Sequence, residues 1–235
     1  MRRSLLVLAA SVAVAGPAAA DCRSSWVKTF PGPEVTLPTQ GRVLLTLGGS
    51  LEKVDVAATV RFVSEQRRER VAVVSSFSGF NQRLVVLSPE KPLAPGTWDL
   101  VLLQAPRGLE PKLGRWTVAD ASDTTAPSLT ATPRAGPTSW KAYGCGPASL
   151  VPIEGVATNE VALLEVLLTR PGAPPATAVL APHDGALELG HGMCGGQFSL
   201  APGTKATVVL TPIDLAGNRG ASSQPIEVVA PGPGL

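Results

Sequence analysis

Short apolar runs alternate with turn residues along almost the whole chain. Residues 42–47 set Val43, Leu45 and Leu47 on one face, and residues 58–63 do the same with Val60 and Phe62. Runs at 71–74, 83–87, 98–103 and 115–118 continue the series. A second series occupies 128–132, 150–156, 161–169, 177–181, 186–189, 197–200, 206–212 and 225–229. Runs this short, rich in Val, Leu and Thr, predict strands, because a period of two buries one face of a strand. Residues 161–169 carry two periods. Val161, Leu164 and Leu168 follow helical spacing behind Asn159, a capping residue type, whereas Leu164, Val166 and Leu168 alternate as a strand. The short run and the Pro171-Gly172 stop favour the strand.

The turns between runs repeat one solution. Leu93-Ala94-Pro95-Gly96-Thr97 and Leu200-Ala201-Pro202-Gly203-Thr204 each precede an apolar run, one small domain's length apart. Proline fixes φ and the following glycine accepts positive φ, so both predict tight turns feeding strands. Asp214-Leu215-Ala216-Gly217-Asn218 predicts the reversal between the last two strands, with Asp214 and Asn218 bonding local backbone. The small, polar stretch 119–127 ends at Pro127 and reads as a linker. The expected division is a first β-sandwich over 21–120, a linker at 121–127, a second β-sandwich over 128–230 and a flexible tail at 231–235. Within the first, residues 21 to 40, with Pro31, Pro33 and Pro38, are expected to be an irregular lead-in.

The first twenty residues do not belong to that pattern. Arg2 and Arg3 precede a short apolar run, Pro17 breaks it, and Ala18-Ala19-Ala20 fits the small-residue rule for cleavage. An export signal at 1–20, cut before Asp21, is expected. Cys22 lies just past that site, but Asp21 before it is wrong for lipid attachment, which needs a small residue. No later apolar stretch is long enough to span a bilayer.

Composition agrees with many short strands: the chain of 235 residues holds 24 Gly and 23 Pro. Without Arg2 and Arg3, the 20 basic residues become 18 and balance the 18 acidic ones. Balanced charge argues against nucleic acid or an anionic membrane as partner.

The three cysteines are Cys22, Cys145 and Cys194. Export favours oxidation, and Cys145 and Cys194 both lie in the second sandwich beside glycines, so they are expected to bridge. Cys22 is then left as a free, capped or intermolecular thiol.

Candidate chemistry is sparse. His183, Asp184, His191 and Cys194 lie close in sequence, but their spacing matches no zinc pattern, and a bridged Cys194 could not ligate. Asp214 with Asn218, and Asp184 and Glu160 as further acids, offer calcium ligands, yet without the run of carboxylates calcium wants. No metal and no cofactor are expected; His183, His191 and Asp214 are the residues from which a metal site would be built. Ser50-Leu51-Glu52-Lys53 spells an acylating-enzyme pattern, but in a polar turn without companion motifs. Residues 65–70, Glu-Gln-Arg-Arg-Glu-Arg, read as a charged hairpin tip that protects a strand edge. Trp98 and Trp116 are expected as core plugs, while Trp26 and Trp140 could stack sugars if clustered on one surface.

Two sets of motifs carry a family resemblance. Pro38-Thr39, Leu87-Ser88-Pro89 and Pro92-Leu93-Ala94-Pro95-Gly96-Thr97 resemble bacterial Ig-like domains of surface and envelope proteins. That family's last pattern ends in tyrosine two places after the threonine; here Trp98 comes one place early and Asp99 stands at the tyrosine position. Asp123-Thr124-Thr125-Ala126-Pro127, Gly155-Val156-Ala157-Thr158-Asn159 and the 214–218 turn resemble a second bacterial Ig-like group. The resemblance implies an all-β chain of two Ig-like sandwiches in tandem and an exported, non-enzymatic binding, structural or interaction module, periplasmic or secreted. Its partner would be a protein or cell-surface component. The alternative is a periplasmic metal- or ligand-binding β-sandwich protein.

Overall fold

The computed structural model describes residues 24–120, 123–144 and 146–233. The expected export signal, Cys22 and Cys145 lie outside the described residues. Among those described, no helix is long and apolar enough to cross a membrane.

The chain is all-β and folds as two β-sandwiches in tandem, each around its own core. The first is built from β1 (Trp26–Phe30), β2 (Leu37–Pro38), β3 (Val43–Gly48), β4 (Val60–Val63), β5 (Arg68–Ser78), β6 (Gln82–Pro89), β7 (Gly96–Leu102) and β8 (Lys112–Ala119). The strand order is β1-β3-β6-β5-β4-β7-β8-β2. β5 serves two partners: its first residues pair with β4 and the remainder with β6. The sheet therefore turns a corner along β5 and closes over its own core.

The second sandwich comprises β9 (Arg134–Ala135), β10 (Ser139–Tyr143), β11 (Gly146–Glu154), β12 (Ala162–Arg170), β13 (Ala173–Leu180), β14 (Ala186–His191), β15 (Lys205–Asp214) and β16 (Ile226–Val229). A sheet ordered β10-β11-β14, with β9 against β11, faces one ordered β13-β12-β15-β16.

Local chemistry explains where these elements depart from expectation. Residues 161–169 do form a strand, because β12 is sandwiched between β13 and β15 and buries Leu163, Leu164, Val166 and Leu168. The strand expected from residue 58 starts two residues late. Asp55 accepts a hydrogen bond from the Ala58 amide at 3.1 Å and caps one helical turn, α1 (Val56–Thr59). The expected strand at 128–132 shrinks to one bridge, Leu129 to Thr158, since Asn159 takes the Ser128 amide at 2.7 Å. Residues 197–200 form no strand, yet Phe198 and Leu200 drop into the core from a loop. The expected irregular lead-in contains β1, paired along its whole length with β3. At the other end, the tail expected from residue 231 begins packed. Pro231 and Gly232 are buried, and the Ser149 hydroxyl donates to the Pro231 carbonyl at 3.4 Å.

The two cores differ in make-up. Trp98 and Trp116 face each other across β7 and β8 and are buried at 2% and 1% exposure, as core plugs. Each indole N–H finds a carbonyl: Trp98 donates to Ala94 at 2.8 Å, Trp116 to Gly32 at 3.1 Å and Pro31 at 3.2 Å. The second core is aliphatic apart from Phe198.

The two sandwiches share a face. β3 and β6 are buried on both sides. Val43, Leu45, Leu47, Val85 and Leu87 point into the first core, whereas Leu44, Leu84 and Val86 belong to the second. Such strands read as continuous apolar runs rather than alternating ones. A backbone clasp closes the seam. Phe80 and Gly196 exchange both hydrogen bonds, at 2.8 and 2.9 Å.

Candidate functional site

The seam between the sandwiches holds a cluster of carboxylates. At one end β15 runs out at Asp214, which is 1% exposed. Its carboxylate accepts from the amides of Gly217 and Asn218 and from the Asn218 side-chain amide at 2.6 Å. Gly217 reverses the chain at φ 100°, and the Arg42 guanidinium packs where a Cβ would stand. The expected structural turn is therefore present, and it is also a joint. The Arg42 amide of the first sandwich donates to the Leu215 carbonyl at 2.7 Å, and Asn218 donates to the Asp123 carbonyl at 2.9 Å. Burial lowers the Arg42 pKa, and the Asp214 charge works in the opposite direction.

Asp123, Glu160 and Asp214 converge there, with one oxygen from each within 4.8 Å of the others. Burial pushes the Glu160 carboxyl up, helped by the charges of Asp123 and Asp214. Its Oε1 is buried without a hydrogen-bond partner. Val35, Leu37 and Pro38 line the adjoining 350 Å³ hollow on the side of the first sandwich. A proton held on Glu160 relieves this crowding of like charge.

The other residues singled out by sequence are dispersed. His183 is exposed beside Asp184, with Nε2 to Oδ2 at 3.4 Å, and His191 ends β14 at its other end. The His191 ring meets Phe80 edge-on at 5.3 Å. Neither histidine joins Asp214, so His183, His191 and Asp214 are not brought together. Among the described residues the only group placed to share a metal ion is the acidic one. Asp123 is its member that spacing alone did not suggest.

Cys194 lies in the turn after β14, where the Gly192 amide donates to the Gly195 carbonyl at 2.8 Å. Its expected partner Cys145 is outside the described residues. The Ser50 hydroxyl bonds that of Ser25 at 2.6 Å. The charged run at 65–70 does form a hairpin tip, whose turn is tied by the Ser64 hydroxyl accepting from the Arg67 amide at 3.1 Å. A polar 740 Å³ groove separates this tip from Pro95 and Asp99. Asp99, standing where the resembled family has tyrosine, holds Arg115 through two contacts at 2.7 and 2.9 Å and Lys112 at 3.1 Å. The Arg115 hydrogen bond leads in holding the Asp99 carboxyl below its ordinary range.

At the opposite end of the seam, the outer face of β1, β3 and β6 is only partly covered by the second sandwich. The remaining wedge measures 560 Å³ and lies between Trp26, Thr46 and Gln82 on one side and Leu180, Leu187 and Glu188 on the other. Trp26 is half-buried and borders it; Trp140 lies on β10 and does not.

No protein-family model matches the chain, and no curated protein matches it. Among solved structures it is similar to a type I pullulanase from Bacillus subtilis complexed with maltose, at 12% identity and a TM-score of 0.26. That alignment covers 88% of this chain but only 24% of the pullulanase. The FN1–FN3 domains of chicken CNTN1 align at 10% identity and a TM-score of 0.27, over 86% of this chain and 65% of theirs. Fibronectin(III)-like modules of Clostridium thermocellum CbhA align at 13% identity and a TM-score of 0.24, over 87% of this chain and 93% of theirs. The sandwich assignment rests on the strand order and the two cores described above.

Proposed function

We propose that the chain is an exported, non-enzymatic Ig-like protein of the bacterial envelope, periplasmic or secreted, acting as a binding, structural or interaction module. The observation that carries this reading is the shared face. Burying Leu44, Leu84 and Val86 under the second sandwich joins two small domains into one unit with a wedge and a groove open on its surface. The side chains that sequence offered for catalysis are engaged in structure or set apart. The partner is a protein or cell-surface component.

The leader at 1–20 supports export, and the ladder between β11 and β14 supports the Cys145–Cys194 bridge. Ser149 pairs with His191, so the start of β11, next to Cys145 in sequence, lies at the end of the sheet where the 192–195 turn carries Cys194. Cys22 then stays free, capped or linked to another chain.

Expression with the leader in a Gram-negative host, followed by fractionation and N-terminal sequencing, tests this reading. Asp21 as the new N-terminus outside the cytoplasm is expected; cytoplasmic protein retaining the leader would sink it. Non-reducing peptide mapping of the same sample should recover Cys145 joined to Cys194.

A further inference from the structure

The wedge at the β1 end of the seam has a built floor. Trp26, Gly48 and Gln82 form a row across β1, β3 and β6. The indole lies on the middle member: a Cβ on Gly48 would sit 2.1 Å from a ring carbon. One face of the ring is therefore pressed on backbone, and the other is turned toward the wedge. Lys28 Nζ stands 5.8 Å from the ring centroid. Gln82, next in the row, is 6% exposed, and its amide nitrogen has no acceptor. Buried amides in folded proteins are almost always paired, so this one is a place where a partner is missing.

We propose that this wedge binds a short carbohydrate chain. The proposal deepens the interaction-module reading by naming a ligand class. A sugar ring has an apolar C–H face and a rim of neighbouring hydroxyls, each both donor and acceptor. The indole face away from Gly48, bordered by the Lys28 ammonium, suits the first. The Gln82 amide, which donates and accepts side by side, suits the second. Thr46, Lys28 and Glu188 stand at the border with further donors and acceptors. Lys28 and Glu188 offset one another, so the wedge does not demand a charged ligand. A wholly apolar ligand would leave Gln82 unpaired. The wedge's volume lies within the range of about 300–1,000 Å³ usual for small-molecule sites.

The test uses the whole mature chain on a glycan array spanning hexose, N-acetylhexosamine and uronic acid oligomers, followed by calorimetric titration of the strongest hit. Saturable one-to-one binding is expected. Trp26→Ala should weaken it at least tenfold and Trp140→Ala should leave it unchanged. Gln82→Leu should weaken it severalfold while raising the melting temperature, because it removes an unpaired buried amide; that rise shows the loss is not unfolding. Absence of any array signal, or an affinity indifferent to Trp26→Ala and Gln82→Leu, would overturn the proposal. So would anilinonaphthalene sulfonate saturating the wedge with no saccharide able to displace it. Fractionation scores the envelope reading separately, so either can fail alone.

Discussion

The two copies of Leu-Ala-Pro-Gly-Thr do different things. In the first sandwich β7 begins at Gly96, inside the motif, and Trp98, Leu100 and Leu102 point inward. In the second, Thr204 closes a turn onto the Ala201 carbonyl at 3.0 Å, and β15 begins only at Lys205. Ala206, Val208 and Leu210 then point inward. Counted from the shared leucine, the buried face has slipped by one residue. A one-residue slip exchanges every inward and outward side chain, so the apolar pattern downstream, not the turn, sets the register. The turn is adjusted to suit, with φ 133° at Gly96 and 75° at Gly203.

The cores extend the contrast. Truncating a tryptophan plug should cost most: Trp116→Ala is expected to destabilise by about 4 kcal/mol. Chemical denaturation followed by near-ultraviolet circular dichroism checks this, and a loss near 1 kcal/mol would show that the plug is dispensable. Leu84→Ala comes next, at about 3 kcal/mol. It sits on the shared face, so calorimetry should show one coupled transition in the parent chain and two separated ones in the variant. Two transitions in both would mean that the sandwiches melt independently.

The turn glycines sharpen the comparison further. A Cβ on Gly96 or Gly203 meets nothing within 4 Å, so alanine there reports backbone conformation alone. Gly203→Ala should cost about 1 kcal/mol, the ordinary left-handed penalty. Gly96→Ala, further from any region open to side chains, should cost about 2–3 kcal/mol. Equal losses would dissolve the distinction between the two turns.

The smallest effect lies where the sandwiches meet. Burial, then Asp123 and Asp214, raise the Glu160 pKa above 4.5, so the folded chain holds that proton more tightly than the unfolded chain. Its contribution to stability therefore falls as pH rises from the unfolded value through the raised one. Asp123 and Asp214 act on Glu160 directly, and Arg42 and Arg219 are the cations nearby. Glu160→Gln should melt higher than the parent chain at neutral pH, and the gain should shrink below pH 4.5. Melting curves at both conditions decide; a gain that persists in acid would assign it to packing instead.

Much of the fold was legible because a half-buried strand writes its period into the chain. Val60 and Phe62, and Val43, Leu45 and Leu47, were readable as inward faces without any structure. β1 was harder to read, because Lys28 stands on the face of Trp26 and Phe30 and interrupts the apolar period. The nearby prolines drew the reading toward an irregular segment. The acidic joint was half legible. Asp214 and Asn218 are close in sequence and announce a turn, whereas Glu160 meets Asp214 through the β12–β15 pairing and Asp123 through the Asn218 bond to its carbonyl. The wedge was not legible at all, since Trp26 and Gln82 share a row through β3 pairing rather than through spacing.

By itself the sequence determined the all-β class, the tryptophan plugs and the tight turns, because each depends on side-chain period or on φ at one or two residues. Only the tertiary structure decided what Leu44, Leu84 and Val86 cover. An apolar run buried on both faces looks the same whichever partner lies against it, and here the second face is closed by the neighbouring sandwich. That closure sets the Arg42 amide against the Leu215 carbonyl at one end of the seam and leaves the Trp26 wedge open at the other.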